Sequence, residues 1–165
     1  MYSIMKLLIA AALGAATAAA LQERRIARAH YDEAFGMLTR QGLDAKLNRL
    51  TTEVDVLFID LDHIHELNTA LGYTEVNRLV RQAFAVRASD TLIGRWQSGD
   101  ELVVITRRGD GVGLSERLTA RLASLGLSAT IAVAAASARD AIHAASKQVQ
   151  AAKANGVRGE VLRCC

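Results

Sequence analysis

The sequence predicts an α/β fold, in which a central mixed sheet containing a β-hairpin carries helices on both faces. The first observation is Val54–Asp60, a continuous apolar run rich in β-branched residues, which is typical of a buried central strand. The second is a pair of apolar runs, Thr91–Trp96 and Glu101–Thr106, whose polar connection Gln97–Asp100 indicates a hairpin. The third is Thr74–Ala88, where apolar residues recur at helical spacing.

The other elements follow from the same two periodicities, and those from Gln41 to Ala154 give the order α-β-α-α-β-β-α-β-α. Further helices are predicted over Gln22–Met37, Gln41–Leu50, Ile64–Ala70, Leu114–Leu125 and Arg139–Ala154. Asn155 and Gly156 close the last of these helices as a C-cap. The remaining strands are Ser128–Ala135 and a short edge strand at Val161-Leu162.

Length and composition fit one globular domain with a short extension, which we place at residues 32–165 and 1–31. The chain has 165 residues, of which 51% are hydrophobic and 22% charged. Its net charge of +3 suits a protein that handles phosphates and gives no reason to expect nucleic-acid binding. Cys164 and Cys165 have no other cysteine to pair with, so a disulfide framework is excluded.

The N-terminal segment is apolar and has three interpretations. Leu7–Leu21 contains no charge and follows Lys6, while Arg24, Arg25 and Arg28 come directly after it. This pattern favours membrane association through residues 1–21, with the domain kept on the cytoplasmic side of the inner membrane by the basic flank. A soluble alanine-rich helix and a cleaved signal peptide are the alternatives, and the last would separate the domain from cytoplasmic nucleotides.

Acidic residues follow the predicted central strand. Asp60-Leu61-Asp62 stands at its end, where open sheets commonly bind ligands. Carboxylates at a strand end, joined by one from another strand, are the hard oxygen ligands that Mg²⁺ requires. A structural interpretation is also open, in which Asp60 merely ends the strand and Asp62 caps the following helix.

A second acidic pair, Asp100-Glu101, lies in the hairpin turn. Gly99 before it allows backbone geometry through which phosphate oxygens can approach the amides, although an ordinary Ser-Gly-Asp turn explains it as well. The two acidic turns are better explained together, because carboxylates crowded into one small sheet repel each other unless a cation is bound.

Four segments share their order and spacing with one known family. They are DEAFGMLTRQGL (Asp32–Leu43), FIDLDHIHELNTALGY (58–73), RWQSGDELVVI (95–105) and AKANGVRGEV (152–161). Together they resemble the GGDEF domain of diguanylate cyclases, with SGDEL as a variant signature. The resemblance implies a fold like that of adenylyl cyclase and polymerase palms. It also implies Mg²⁺- or Mn²⁺-dependent condensation of two GTP into cyclic di-GMP by a homodimer.

The resemblance also implies roles for individual residues. Asp60, Asp100 and the carbonyl of Leu61 would bind the metal ion, and Glu101 would be a further metal ligand or a proton acceptor. The substrate would contact Asn68, Asn77, Ser98, Gly99, Lys153 and Arg158, the first two at guanine and the lysine at the phosphates.

Several positions depart from the family pattern. Ser98 replaces the first glycine of the signature, and Gln97 is an insertion before it. Asn77 stands where the family has an aspartate that accepts hydrogen bonds from guanine, so it lacks the charge that strengthens them. Arg87 and Asp90 have the spacing of the inhibitory RxxD site but begin about two residues early. Beside an active cyclase, the sequence therefore leaves open a GTP-binding regulatory module without turnover and a nucleotidyl cyclase of altered base preference.

Overall fold

The computed structural model describes residues 17–18, 21–22, 25, 29–85, 91–97 and 99–164. From residue 29 onward, the described residues form seven strands and five helices. In chain order these are β1 (Tyr31–Asp32), β2 (Met37–Leu38), α1 (Arg40–Leu47), β3 (Val54–Asp62), α2 (Ile64–Leu71), α3 (Tyr73–Ala83), β4 (Leu92–Arg95), β5 (Glu101–Arg107), α4 (Gly111–Ser124), β6 (Ser128–Ala136), α5 (Ala138–Ala154) and β7 (Val161–Arg163).

The strands of the described chain form one mixed sheet in the order β1-β2-β4-β5-β3-β6-β7. Strand β3 runs antiparallel to both of its neighbours, β5 and β6. Strands β4 and β5 form the predicted hairpin, whereas β2 with β4 and β6 with β7 are parallel pairs. The predicted fold class, a mixed sheet with a hairpin and helices on its faces, is confirmed.

Two apolar cores lie on opposite faces of this sheet, because successive strand residues point to opposite sides. On one face, Phe58 of β3 packs in a cluster with side chains of α1 and α5. On the other, Ile59 packs in a cluster with side chains of α3 and α4. Both side chains are fully buried, so β3 is the central strand that its apolar run predicted.

Most predicted bounds differ from the structure by only a few residues, and the C-cap is confirmed. Asn155 ends α5, and Gly156 follows it with a φ of 78°. The helix predicted to reach Ala88 is described as far as Ala83, and residues 86–90, which include the RxxD pair, lie outside the described residues.

The helix predicted over Gln22–Met37 is wrong for its last part, where β1 and β2 form a short antiparallel hairpin. The cause is local side-chain chemistry. The Asp32 carboxylate accepts hydrogen bonds from the amides of Ala34 at 2.9 Å and Phe35 at 3.1 Å, which turns the chain after β1. Gly36 completes the turn with a φ of 69°.

The predicted membrane segment, residues 1–21, lies largely outside the described residues. Thr17, Ala18 and Leu21 are the described positions within it, and all three are helical. In the part of the chain that the structure covers, no helix combines the length and apolar character needed to cross a bilayer.

Asp55, near the start of β3, joins the sheet to the beginning of α4. Its carboxylate is buried and accepts hydrogen bonds from the amides of Gly109 and Gly111, each at 2.9 Å, and from Arg108 at 3.0 Å. Asp55→Asn removes the charge and turns an amide group toward at least one of these donors. We expect it to lower the free energy of unfolding by about 1–3 kcal/mol in urea titrations. An unchanged midpoint and slope would contradict this assignment.

Candidate metal and phosphate site at the end of the central strand

The end of β3 brings the two predicted acidic stretches together. In the register of the sheet, Asp60 pairs with Glu101 of β5 on one side and with Thr130 of β6 on the other. The amide of Leu61 donates to the carbonyl of Asp100 at 3.1 Å. Residues that are forty positions apart in the chain therefore share one edge of the sheet, as the joint interpretation of the acidic turns requires.

The turn between β4 and β5 is closed by a backbone hydrogen bond from Trp96 to Glu101 at 2.9 Å. Gly99 has a φ of 114°, a conformation that side chains disfavour. A Cβ at Gly99 would meet no atom within 4 Å, so the backbone angle, and not crowding, explains the glycine. Ser98, a predicted substrate contact, lies outside the described residues.

Lys153, near the end of α5, reaches into this group of carboxylates. Its Nζ donates a hydrogen bond to Asp60 Oδ1. The same atom lies 3.1 Å from Asp62 Oδ1 and 3.4 Å from the carbonyl oxygen of Leu61. The lysine side chain is only 18% exposed. The predicted phosphate contact therefore lies beside the predicted metal ligands.

Lys153 neutralises only part of the negative charge of these carboxylates. Burial raises the pKa of Asp60, and the charges of Asp100 and Asp62 raise it further, while Lys153 offsets part of the shift. Burial also raises the pKa of Glu101, and the charges of Asp60 and Asp100 add to the effect. Both carboxyl groups would be stabilised in their ionised form by additional positive charge.

Glu101 supplies a further observation in favour of a cation. Its Oε2 atom is buried and has no hydrogen-bond partner among the described residues. No three His, Cys, Asp or Glu side chains in the described ranges converge as a complete metal site. Mg²⁺, however, is commonly held by one or two carboxylates, with waters and substrate phosphates as its other ligands. The carboxylates of Asp60 and Glu101, with the charge of Asp100 acting on both, fit that mode of binding.

Asp62 does not cap the following helix, so this structural alternative is wrong. Helix α2 begins after His63, which has a φ of 57°, and no side chain caps it. The Asp62 carboxylate is instead directed toward β6, where it accepts hydrogen bonds from Ser128 and Thr130. Its partners come from distant parts of the chain, which local spacing could not reveal.

Arg158 lies beside the same group. Its Nε is 3.8 Å from Asp62 Oδ1, and its Nη1 donates to the carbonyls of Lys153 and Val157, each at 2.8 Å. The arginine side chain remains 40% exposed. Lys153, the predicted phosphate contact, and Arg158, a predicted substrate contact, thus lie next to each other at the strand end.

The predicted base contacts lie on two neighbouring helices and not at the strand end itself. Asn68 is in α2 and Asn77 is half-buried in α3. The Oδ1 atom of Asn68 is buried and has no hydrogen-bond partner among the described residues. An acceptor of this kind is available to a donor on a ligand, and the role of both asparagines in base recognition stays a prediction.

The signature turn is supported by an ion pair that the sequence alone did not reveal. Arg95 Nη1 lies 2.6 Å from Asp32 Oδ2, and its Nη2 donates to the carbonyl of Gly99 at 3.0 Å. Its guanidinium also stacks over the ring of Phe35 at 4.5 Å. The signal was present in the sequence, because Asp32 opens the first matching segment and Arg95 opens the third.

Asp32→Asn is expected to destabilise the protein by about 1–3 kcal/mol near neutral pH. Burial tends to raise the pKa of Asp32, but hydrogen bonds from Arg95 and two amides, with the charge of Arg95, outweigh it and lower that pKa below 3.8. The ionised form is therefore stabilised in the folded state. Urea titrations should show a constant difference between wild type and variant above about pH 5, which shrinks as the pH falls through the folded pKa. A difference that grows in acid would contradict the ion pair.

Comparisons of the sequence give no family: no family model and no curated protein matches it. Comparison of the structure gives several matches. A microbial GGDEF domain with bound cyclic di-GMP has a TM-score of 0.68 at 21% identity, over 82% of this chain and 99% of that one. The diguanylate cyclase SiaD from Pseudomonas aeruginosa, with its activator SiaC, has a TM-score of 0.68 at 16% identity, over 98% and 73%.

A third match is the GGDEF domain of DgcB from Caulobacter crescentus in complex with cyclic di-GMP. It has a TM-score of 0.63 at 19% identity and covers 82% of this chain and 93% of that chain. At these identities the likeness establishes the fold. The mixed seven-stranded sheet, the β4–β5 hairpin and the placement of helices on both faces agree with it. This chain has the fold of a GGDEF domain.

Proposed function

We propose that the protein is a diguanylate cyclase that condenses two GTP molecules into cyclic di-GMP, with Mg²⁺ or Mn²⁺ as cofactor. The observation that carries the proposal is the meeting of Asp60, Asp100 and Glu101 with Lys153 at the end of the central strand. The fold adds support, since solved GGDEF domains of the same fold contain cyclic di-GMP.

In this proposal, Asp60, Asp100 and the carbonyl of Leu61 would hold the metal ion. A metal ion held there would supply polarisation of the α-phosphate and stabilisation of negative charge on the attacking and leaving oxygens. Glu101 completes the set as a further ligand or accepts the proton of the attacking hydroxyl. Lys153 and Arg158 bind the triphosphate, and Gly99 lets it approach the backbone of the turn, next to Ser98.

The reaction requires two domains, because one strand end holds one GTP. The 3′-hydroxyl oxygen of each GTP forms a bond to the α-phosphorus of the other, and the bond between the α- and β-phosphates breaks. Each hydroxyl loses its proton, and two pyrophosphates leave. A homodimer with its two strand ends facing each other satisfies this stoichiometry.

Residues 1–21 are proposed to associate with the inner membrane and to leave the domain in the cytoplasm. Fractionation of a tagged full-length protein tests this proposal.

GTP and ATP should each be incubated with dimeric protein, with and without Mg²⁺, and the products identified by mass spectrometry. The proposal requires cyclic di-GMP from GTP and no corresponding product without metal. A cyclic product from ATP instead of GTP would favour altered base preference, for which Asn77 is the reason. GTP binding without formation of any product would favour the alternative of a GTP-binding regulatory module without turnover.

A further inference from the structure

The Asp62 carboxylate is fully buried, with 0% of its side chain exposed, and it accepts hydrogen bonds from two separate segments of the chain. From β6, Ser128 donates to it at 3.1 Å and Thr130 at 3.2 Å. From the loop before β7, the amide of Gly159 donates at 3.0 Å. These three donors fix the position of a negative charge beneath the strand end.

The same carboxylate lies close to two cationic side chains. Lys153 Nζ lies 3.1 Å from Asp62 Oδ1, and Arg158 Nε lies 3.8 Å from it. The Arg158 guanidinium is also held at the end of α5, because its Nη1 donates to the backbone carbonyl of Lys153 at 2.8 Å. Asp62 is thus the common partner of the two side chains that the proposed function assigns to the triphosphate.

We propose that Asp62 is a positioning residue that holds Lys153 and Arg158 ready for the phosphates of the nucleotide, an inference that rests on the proposed function. A buried carboxylate with fixed donors is a rigid anchor, and binding gains when charged side chains are ordered before the ligand arrives. Asp62 itself does not touch the ligand in this account.

Asp62 has a second effect on Lys153, because the lysine is shared between two carboxylates. Its other partner is Asp60, the proposed metal ligand. Without the charge of Asp62, the lysine keeps Asp60 as its sole strong partner and competes with the metal ion for that carboxylate. With Asp62 in place, Lys153 retains a partner when Asp60 turns to the metal.

Asp62→Asn tests this inference, with Asp55→Asn as its matched control. Both aspartates are buried on β3, accept a hydrogen bond from at least one backbone amide and form an ion pair with a basic side chain, but they lie seven residues apart, about 23 Å along the strand. The full-length proteins are titrated with a non-hydrolysable GTP analogue and with GMP, each in the presence of Mg²⁺.

We expect Asp62→Asn to weaken binding of the GTP analogue about tenfold, since it loses charge-assisted interactions, and to change GMP binding less than about twofold. Asp55→Asn should destabilise the fold and leave both affinities unchanged. If Asp62→Asn does not fold, Thr130→Val removes a donor to Asp62 and should weaken the GTP analogue about threefold, again sparing GMP.

Two results overturn the inference. One is an unchanged affinity of Asp62→Asn for the GTP analogue, or of Thr130→Val where it must stand in. The other is an equal loss for the GTP analogue and GMP, which indicates a general collapse of the site. Failure of the wild-type protein to bind the GTP analogue is a separate result: it removes the proposed function, and the inference with it.

Discussion

Asp100→Ala is expected to lower the rate of cyclic di-GMP formation at least about 100-fold, to the limit of detection in most assays. Asp100 lies in the turn between β4 and β5. Its backbone carbonyl accepts a hydrogen bond from the amide of Leu61, the residue next to the proposed metal ligand Asp60. Loss of a metal ligand removes several kcal/mol of charge stabilisation in the transition state, and about 2.7 kcal/mol corresponds to a factor of 100. Initial rates of product formation, measured by chromatography at saturating GTP and Mg²⁺, give the effect.

Asp110→Ala is the control for this change. Asp110 is an exposed aspartate at the beginning of α4 and makes no capping hydrogen bond through its side chain. Its replacement should leave the rate within about twofold of wild type, as for most surface substitutions. Equal rates for Asp100→Ala and wild type would contradict the assignment of Asp100 to the metal ion.

Lys153→Ala is expected to produce the second largest effect, a rise of about 30-fold or more in the KM for GTP. Lys153 forms ion pairs with Asp60 and Asp62 and partly neutralises them. In the proposed complex, it is also a charged donor to the phosphates, and charge-assisted hydrogen bonds of this kind contribute about 1.5–3 kcal/mol. Steady-state kinetics over a range of GTP concentrations measure the change.

Lys147→Ala is the matched control, because Lys147 lies on the same helix and is exposed. The KM of the Lys147→Ala variant for GTP should equal that of the wild-type protein. Lys153→Ala should in addition raise the pKa of Asp60, since Lys153 is the group that offsets the raising effect of burial. The optimum for metal-dependent activity should therefore move toward higher pH. A wild-type KM in Lys153→Ala would show that the lysine serves only the folded structure.

Much of the fold could be predicted from the sequence because its signals are local. The apolar run of β3 and the polar turn between β4 and β5 depend on residues close in the chain. The hairpin of β1 and β2 was not predicted, although its signal is also local, because that signal is a side-chain hydrogen bond and not a pattern of apolar residues. The carboxylate of Asp32, which competes with helix formation by turning the chain, acts through two nearby amides but is not visible in hydrophobic periodicity.

The site could be predicted only in part, because its contacts cross the sheet. Spacing brought attention to Asp60 and Asp100, and the four matching segments pointed to Lys153. Neither could reveal that Lys153 bonds to Asp60 across 93 positions or that Asp62 is anchored by β6. Those contacts arise from the register of β3 with β6 and from the packing of α5 on that face.

The base-recognition half of the site is less determined than the phosphate half. Asn68 offers a buried acceptor without a partner in the described residues, whereas Asn77 is half-buried on the neighbouring helix. A neutral amide accepts from guanine more weakly than a carboxylate does. We therefore expect most of the binding free energy to come from contacts with the phosphates and the metal ion.

The most direct test of this account is a calorimetric titration of the wild-type protein with a non-hydrolysable GTP analogue, with Mg²⁺ present and then removed by chelation. We expect saturable binding of one nucleotide per chain, with an affinity at least about tenfold weaker without Mg²⁺, because the charges of Asp60, Asp100 and Glu101 then repel the phosphates. Equal affinity with and without the metal ion, or no binding in either condition, would contradict it.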